Sequence, residues 1–316
     1  MNVIMTAPRL AAPAVALLES AGAVIHYMPP FPKPDAIADL ARRIDPVAIL
    51  SRQGPVDAQV MDAAPNLKIV ARHGVGVDDV DLAEAARRHI LVTRAPGSNT
   101  QAVAEHTLAL ILALAKRLPA FSAQVAQGHW RAAADKTRDI AGLRLGLLGC
   151  GAIGRAVARL AAPFGMRIEG YDPAAAPTPE IPTLAPDLPS LLRRTDVLSL
   201  HLPFLPATRH IVGAAALAAL PAGALVINTA RGGLIDEGAL TAALDSGHID
   251  GAGLDVFEDE PAALDHPLRR HAKVLATPHV AGVTDGSLIN MGVMAAECIV
   301  AVIAGTPVPP DRMVYE

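Results

Sequence analysis

Residues 149–154 read Gly-Cys-Gly-Ala-Ile-Gly, and this stretch decides the fold because of what surrounds it. An apolar run at 143–148 precedes it, and a helix-competent run at 155–164 follows it. A second apolar run at 166–171 then ends in Asp172. The order of strand, glycine turn, helix, strand and acid is typical of a dinucleotide-binding βαβ unit. For the glycines alone, an ordinary glycine-rich turn is the alternative interpretation.

Each part of this motif has a physical reason to bind a dinucleotide. Gly149 and Gly151 allow a tight turn and a close approach to a pyrophosphate, and Gly154 lets the helix pack against the strand. The helix N-terminus offers free N–H groups to the phosphates. Asp172 can accept hydrogen bonds from a ribose diol and would repel a 2′-phosphate, and residues 173–176 contain no Arg or Lys to hold one. The sequence therefore predicts NAD rather than NADP, with a solvated turn residue as the alternative for Asp172 alone.

The composition limits the class of protein. The chain of 316 residues is long enough for two domains, and 52% apolar against 18% charged residues supplies a large core. A formal charge of −4 with no basic block speaks against nucleic acid as a partner. Cys150 and Cys298 form neither a disulfide framework nor a zinc-ligand spacing, so we expect no metal and a cytoplasmic location. The N-terminus carries no basic leader, and the longest lipid-like run, 108–115, is shorter than the roughly 20 residues of a membrane span, so we expect no membrane partner.

Short apolar runs alternate with helical patterns along the chain, which favours parallel sheets covered by helices. A joint rich in Pro, Gly and Ser at 95–99 precedes a long apolar helix pattern at 100–118, and a similar pattern recurs at 287–304. The dinucleotide motif lies between these two helices. We therefore predict an α/β protein with two Rossmann-like or flavodoxin-like domains, the NAD-binding domain being inserted into a discontinuous substrate-binding domain. The predicted bounds are 1–98 with 286–316 for the substrate-binding domain and 99–285 for the NAD-binding domain.

Three segments after the glycine motif each follow an apolar strand and carry a polar side chain: Arg231, Glu260 and His279, in chain order. The carboxyl ends of strands line the ligand crevice of an open parallel sheet, so we expect these side chains at one sheet edge. A His can exchange a proton near neutral pH, a neighbouring carboxylate favours and orients its imidazolium form, and an Arg fork suits a carboxylate. Taken singly, each residue has a structural alternative: a hydrogen-bonded His, a solvated acid and a surface ion-pair Arg.

Further motifs lie on both sides of the glycine turn: 73–78 (HGVGVD), 104–107 (AEHT) and 201–203 (HLP). With the glycine motif, Asp172 and the three polar segments, they make nearly the whole chain resemble the D-isomer-specific 2-hydroxyacid dehydrogenase family, in particular D-3-phosphoglycerate dehydrogenases and hydroxypyruvate-glyoxylate reductases. The resemblance implies an NAD-dependent enzyme that transfers a hydride between the nicotinamide and a small D-2-hydroxy or 2-keto acid.

The resemblance also assigns roles to residues. It implies His279 as the acid/base, Glu260 as its assistant and Arg231 as the group that binds the substrate carboxylate. The implied cofactor contacts are Gly149, Gly151, Ala152, Ile153, Gly154, Asp172, Pro203, Thr208, Thr229, Ala230, Asp255 and Thr107. The implied substrate contacts are Arg52, Gly74, Val75, Gly76, Arg231 and His279. For Arg52 a partly buried ion pair is the alternative to a second anion of the substrate.

Other functions and the assembly state stay open at this point. An NAD-sensing interaction protein, like the transcriptional corepressors that share this architecture, is the alternative from another class. Formate or phosphite dehydrogenation on the same scaffold is a third, against which Glu260 speaks. The sequence does not choose among glyoxylate, hydroxypyruvate, phosphoglycerate, sulfolactate and larger 2-keto acids. A homodimer is expected, because the patterns at 100–118 and 121–130 are more apolar than one domain's surface tolerates.

Overall fold

A computed structural model describes residues 1–314, and the chain divides into two compact units. One unit contains Met1–Asn99 and the chain from Val283 onward; the other is Thr100–Gly282. The first boundary thus differs from the predicted one by a single position. The second falls earlier than predicted, because Thr284 caps the final helix and draws residues 283–285 into the first unit. Residues 315–316, which the prediction placed in the first domain, lie outside the described residues.

The first unit is built on five parallel strands in the spatial order β2-β1-β3-β4-β5. The strands are β1 (Asn2–Met5), β2 (Val24–Tyr27), β3 (Ala48–Ser51), β4 (Ile69–Arg72) and β5 (Leu91–Thr93). The helices between them are α1 (Ala12–Ser20), α2 (Pro34–Ile44), α3 (Ala58–Asp62) and α4 (Leu82–Arg87). The central strand residues are fully buried, as expected of a sheet with helices on both faces.

The second unit contains six parallel strands in the order β11-β10-β9-β8-β6-β7. The strands are β6 (Arg144–Leu148), β7 (Arg167–Tyr171), β8 (Val197–Leu200), β9 (Ala224–Asn228), β10 (Ile249–Leu254) and β11 (Val274–Ala276). The helices are α5 (Thr100–Ala115), α6 (Leu118–Ala126), α7 (Ala152–Ala161), α8 (Leu188–Leu192), α9 (Ala214–Ala219), α10 (Glu237–Asp245) and α11 (Pro267–Arg270). The chain reverses direction across the sheet between β6 and β8, which places a ligand crevice at the carboxyl end of β6. The predicted α/β class with two doubly wound sheets is confirmed.

Two helices differ from their predicted bounds. The helix predicted at 100–118 ends at Ala115, because Arg117 adopts a left-handed backbone with φ of 50° before α6 begins. The last helix, α12 (Asp285–Ala304), begins two residues earlier than predicted, since the Thr284 hydroxyl accepts from the Ser287 N–H. By length and hydropathy α12 could cross a membrane, as could the bent α5–α6 pair, but α12 packs on α1 and buries Met291, Ala295 and Ile299 in the first unit.

Candidate active site

The glycine turn after β6 has a backbone that other residues would not fit. Gly149 has φ of 100°, and a Cβ there would lie 2.6 Å from the carbonyl oxygen of His201. A Cβ on Gly154 would lie 2.3 Å from the carbonyl oxygen of Gly149, so the first turn of α7 presses directly on the strand end. Gly151, in contrast, is exposed and a Cβ there would meet nothing within 4 Å. The open side of the turn is therefore at Gly151, where a phosphate can approach the backbone.

The same turn has the charges that a dinucleotide needs. Gly151 is the N-cap residue of α7 and no side chain caps it, which leaves first-turn N–H groups for an anion. The Asp172 carboxylate accepts from the N–H groups of Cys150 and Ala174, each at 3.0 Å, and is held beside the turn. The residues present therefore fit a dinucleotide, with the ribose at Asp172 and the pyrophosphate at α7. Burial, and then the charge of Asp172, raise the pKa of the Cys150 thiol to about 11, so Cys150 is an unreactive thiol within this turn.

Glu260 and His279 form the central pair of the second unit. His279 Nδ1 lies 2.7 Å from Glu260 Oε2, and the other carboxylate oxygen accepts from the Phe257 N–H at 3.1 Å. Burial raises the pKa of Glu260, but the hydrogen bond and charge of His279, the Phe257 amide and the charge of Arg231 together outweigh it and lower that pKa. The His279 side chain is 50% exposed. Because Nδ1 is hydrogen-bonded to Glu260, Nε2 is the ring nitrogen that can bond a ligand.

Arg231 lies in a tightly built turn at the carboxyl end of β9. The Asn228 side chain ties this turn together, because its Nδ2 donates to the Arg231 carbonyl at 2.8 Å and its Oδ1 accepts from Ala230 N–H at 3.0 Å. Gly232 packs so closely on the segment after β10 that a Cβ would lie 1.9 Å from the Phe257 carbonyl carbon. The turn with Arg231 and the segment that leads to Glu260 therefore have a fixed mutual position.

The backbone of His279 is itself held in an uncommon conformation. Its φ is 53°, in the left-handed region, and its N–H donates to the Asp255 carbonyl at 2.7 Å. The next two N–H groups, of Val280 and Ala281, donate to the two oxygens of the Asp255 carboxylate at 2.9 and 2.8 Å. Asp255 is only 1% exposed, and its carboxylate holds the loop that contains His279 by accepting these hydrogen bonds within the protein. Its contact with the cofactor stays a prediction.

Other predicted cofactor contacts have clear positions. Thr107 has no exposed surface, and its hydroxyl lies 2.8 Å from that of Thr229, so it supports Thr229, while its own contact with a cofactor stays a prediction. The Thr208 hydroxyl donates to the Pro203 carbonyl at 2.9 Å and accepts from the Leu205 N–H at 2.8 Å, which fixes the loop after β8. The contacts of Pro203, Thr208, Thr229 and Ala230 with a cofactor stay predictions.

The predicted substrate contacts of the first unit surround the ends of β3 and β4. Arg52 is half-buried, and burial followed by the nearby charge of Arg72 lowers its pKa. Arg72 donates to the carbonyls of Ser51, Arg52 and Gly76 and pairs with Asp79 at 3.2 Å. Arg72 thus builds the loop that contains Gly74, Val75 and Gly76, a role that the sequence analysis missed although its position before the HGVGVD stretch was a signal. Among the predicted substrate contacts of this unit, Arg52, Gly74, Val75 and Gly76, Arg52 is the cation, and its contact with a substrate stays a prediction.

His73, next to this loop, is a buried neutral group. Burial, together with the charges of Arg52 and Arg72, lowers its pKa to about 4. Within residues 1–314, no group of three or more His, Cys, Asp or Glu side chains could hold a metal ion.

Comparisons with known proteins decide the family. Residues 108–281 match the model of the D-isomer specific 2-hydroxyacid dehydrogenase NAD-binding domain. The chain belongs to this family. NAD is accordingly the cofactor of the second unit, and Asp172 and the glycine turn lie within the matched region.

Relatives and solved structures agree with this membership. The chain is 41% identical to the D-3-phosphoglycerate dehydrogenase of Mycobacterium tuberculosis over 279 residues, which is 87% of this chain and 53% of that protein. It thus spans about half the length of several curated relatives. It is 37% identical to the hydroxypyruvate reductase of Thermotoga maritima over 267 residues, 84% of this chain and 87% of that protein. The TT0316 protein of Thermus thermophilus has a similar structure, with a TM-score of 0.91, 38% identity and 100% coverage of both chains.

Proposed function

We propose that this protein is an NAD-dependent oxidoreductase that interconverts a small D-2-hydroxy acid and the corresponding 2-keto acid. The observation that carries the proposal is the 2.7 Å pair of His279 and Glu260 at the carboxyl ends of strands in an NAD-binding unit. Relatives named as hydroxypyruvate and glyoxylate reductases support the reaction class, and a solved D-lactate dehydrogenase of Aquifex aeolicus in complex with NAD and lactic acid has a TM-score of 0.87 at 28% identity over 99% of both chains.

In this proposal His279 moves the proton. Because Glu260 holds Nδ1, the exposed Nε2 is the nitrogen that takes the hydroxyl proton during oxidation and returns it during reduction. Glu260 keeps the ring in one orientation and stabilises its charged form. The nicotinamide, when bound, supplies or accepts the hydride.

Arg231 binds the substrate carboxylate in this scheme. Its guanidinium is planar and always charged, and its turn is fixed by Asn228 and by the close packing of Gly232. One donor, Nη1, bonds the Ala230 carbonyl at 2.7 Å, which restricts the direction of the guanidinium fork. A fixed fork orients a carboxylate and thereby the carbon next to it.

The substrate is tested by a panel of 2-keto acids assayed with NADH. Glyoxylate, hydroxypyruvate, pyruvate, 3-phosphohydroxypyruvate and 3-sulfopyruvate differ in the group beyond the keto carbon. If the half-buried Arg52 binds the substrate, the acids with a second anion should be the best substrates. If Arg52 forms only contacts within the protein, the smallest acids should be the best substrates. If no acid of the panel is reduced although NADH binds, the proposed reaction is rejected.

The comparisons give the NAD-sensing corepressor alternative no support.

Cofactor preference tests Asp172. We expect kcat/KM for NADH to exceed that for NADPH, because the carboxylate accepts from a 2′-hydroxyl and repels a 2′-phosphate. Asp172→Ala should lower kcat/KM with NADH and change that with NADPH much less. Asp250→Ala, an exposed acid on β10, is the control and should leave both values unchanged. A wild-type preference for NADPH would reject this role of Asp172.

The pH profile tests the Glu260–His279 pair. Glu260→Gln keeps an acceptor oxygen but removes the charge that stabilises imidazolium, so oxidation should begin at a lower pH. We expect the midpoint of the rising limb of kcat/KM for oxidation to move to a lower pH. Glu258→Gln, which changes an acid paired with Arg209, is the control. An unmoved or higher midpoint for Glu260→Gln would argue against the coupling.

We further propose a homodimer that forms through α5, α6 and the segment after them. Leu118, Val125 and Trp130 are 56%, 55% and 82% exposed, and no residue of α6 is buried. Light scattering at micromolar concentration should give twice the monomer mass. Val125→Asp should lower this mass, whereas Val24→Asp, at an equally exposed residue of the first unit, should not. A wild-type monomer would contradict the proposal.

A further inference from the structure

We propose that His106, on α5, is a positioning residue for His279 and acts through Thr277 and Asp255. His106 lies in the AEHT stretch, and neither the pair of Glu260 and His279 nor the glycine turn uses it. The kinetic consequence of this inference rests on the proposed function. Its geometric part concerns the loop of the second unit alone.

The hydrogen bonds of this relay have a defined direction. His106 Nε2 lies 3.0 Å from Thr277 Oγ1, and Thr277 Oγ1 lies 2.5 Å from Asp255 Oδ1. A threonine hydroxyl has one proton, and the ionised carboxylate can only accept, so Thr277 donates to Asp255. Thr277 must then accept from His106, which places a proton on Nε2 of His106. The relay therefore runs from α5 into the loop after β11.

Asp255 is the point where the relay meets the loop that contains His279. The oxygen that accepts from Thr277 also accepts from the Val280 N–H, and the second oxygen accepts from the Ala281 N–H. These two N–H groups follow directly after the left-handed residue His279 and converge on the carboxylate as a backbone nest. The position of the carboxylate therefore fixes the backbone that directly follows His279, while Glu260 orients the ring.

His106 ties this carboxylate to a separate element. Its ring nitrogen Nε2 is 3.8 Å from Asp255 Oδ1, and its side chain is 23% exposed. Removing the donor leaves the Thr277 hydroxyl free to rotate away from Asp255, and the buried carboxylate loses orientation because such networks strengthen each other. A shift of His279 of even about 1 Å lowers the rate of the chemical step about 10- to 100-fold.

The experiment compares three variants with a matched control. His106→Leu removes the donor, His106→Gln places an amide donor near the position of Nε2, and Thr277→Val removes the link. His248→Leu is the control, since His248 also forms one hydrogen bond through Nε2, to the Leu217 carbonyl, but lies outside the relay. Hydrogen–deuterium exchange of the Val280 and Ala281 amides is measured together with kcat, KM and NADH affinity.

In His106→Leu and in Thr277→Val, we expect the Val280 and Ala281 amides to exchange at least 10-fold faster than in the wild type. In both variants kcat should fall about 10-fold or more, whereas NADH affinity and KM should change less than about 3-fold. The double variant should be no worse than either single variant, because both break one chain of contacts. His106→Gln should restore most of the protection and of kcat. The control should behave as the wild type.

Unchanged amide exchange in both His106→Leu and Thr277→Val would overturn the proposal, and so would equal losses in His106→Leu and His106→Gln. If the wild type turns over no 2-keto acid, the proposed function fails. The amide exchange of the same variants still decides whether the relay holds the loop.

Discussion

His279→Ala is expected to lower kcat by about 10²–10⁴-fold, the range for loss of a positioned general acid or base. NADH affinity should stay near that of the wild type, because the glycine turn and Asp172 bind the dinucleotide through other atoms. Since His279 has a left-handed backbone, His279→Asn is the cleaner partner variant: asparagine tolerates this conformation but cannot exchange the proton. Steady-state kinetics and the quenching of protein fluorescence by NADH measure the two effects.

The control for this prediction lies at the opposite end of the same strand. His271 precedes β11 and pairs with Asp245, so His271→Ala removes a histidine without touching the carboxyl edge of the sheet. Its kcat should equal that of the wild type. A His279→Asn variant with near wild-type kcat would assign the proton transfer to another group.

Gly232→Ala is expected to destabilise the second unit by about 3 kcal/mol. The added Cβ would lie 1.9 to 2.3 Å from three backbone atoms of Phe257 and Glu258, and a backbone cannot move aside as a flexible side chain can. Because the same contact sets the turn with Arg231 against the segment before Glu260, activity should fall even in the folded fraction. Denaturant unfolding followed by circular dichroism gives the free energy.

Gly238→Ala is the matched control. Gly238 lies in α10, is exposed, and a Cβ there would meet only the Asp236 carboxylate at 3.4 Å. Alanine is a better helix former than glycine, but Gly238 lies in the first turn of α10, so this change should be neutral or slightly stabilising. Equal effects of the two substitutions would show that the packing at Gly232 has no special role.

Local patterns allowed the nucleotide site to be predicted from the sequence. Gly149 and Gly154 are required by the backbone of a single turn, Gly151 leaves its open side free, and Asp172 follows at the end of the next strand. The pairing of Glu260 with His279 also followed from a simple rule, because parallel neighbouring strands bring their carboxyl ends together.

Features that depend on contacts between residues far apart in the chain could not be predicted from the sequence. The hydrogen bond between His106 and Thr277 joins residues 171 positions apart, and no periodicity reports such a contact. The hydrogen bonds that Asp255 accepts within the loop depend on the left-handed backbone of His279. A left-handed backbone at a residue other than glycine is not indicated by the residue type. Similarly, the break between α5 and α6 arises from the backbone of Arg117, within an apolar pattern that reads as continuous.

The most direct test of the central claim follows the transferred atom. The protein is incubated with NADH that carries deuterium at both C4 positions and the best 2-keto acid of the panel, and the product is analysed by mass spectrometry and chiral chromatography. We expect one deuterium at C2 of a D-2-hydroxy acid, formed by the wild type and at least about 10²-fold more slowly by His279→Asn. A product of L configuration, or NADH consumption without deuterium at C2, would contradict it.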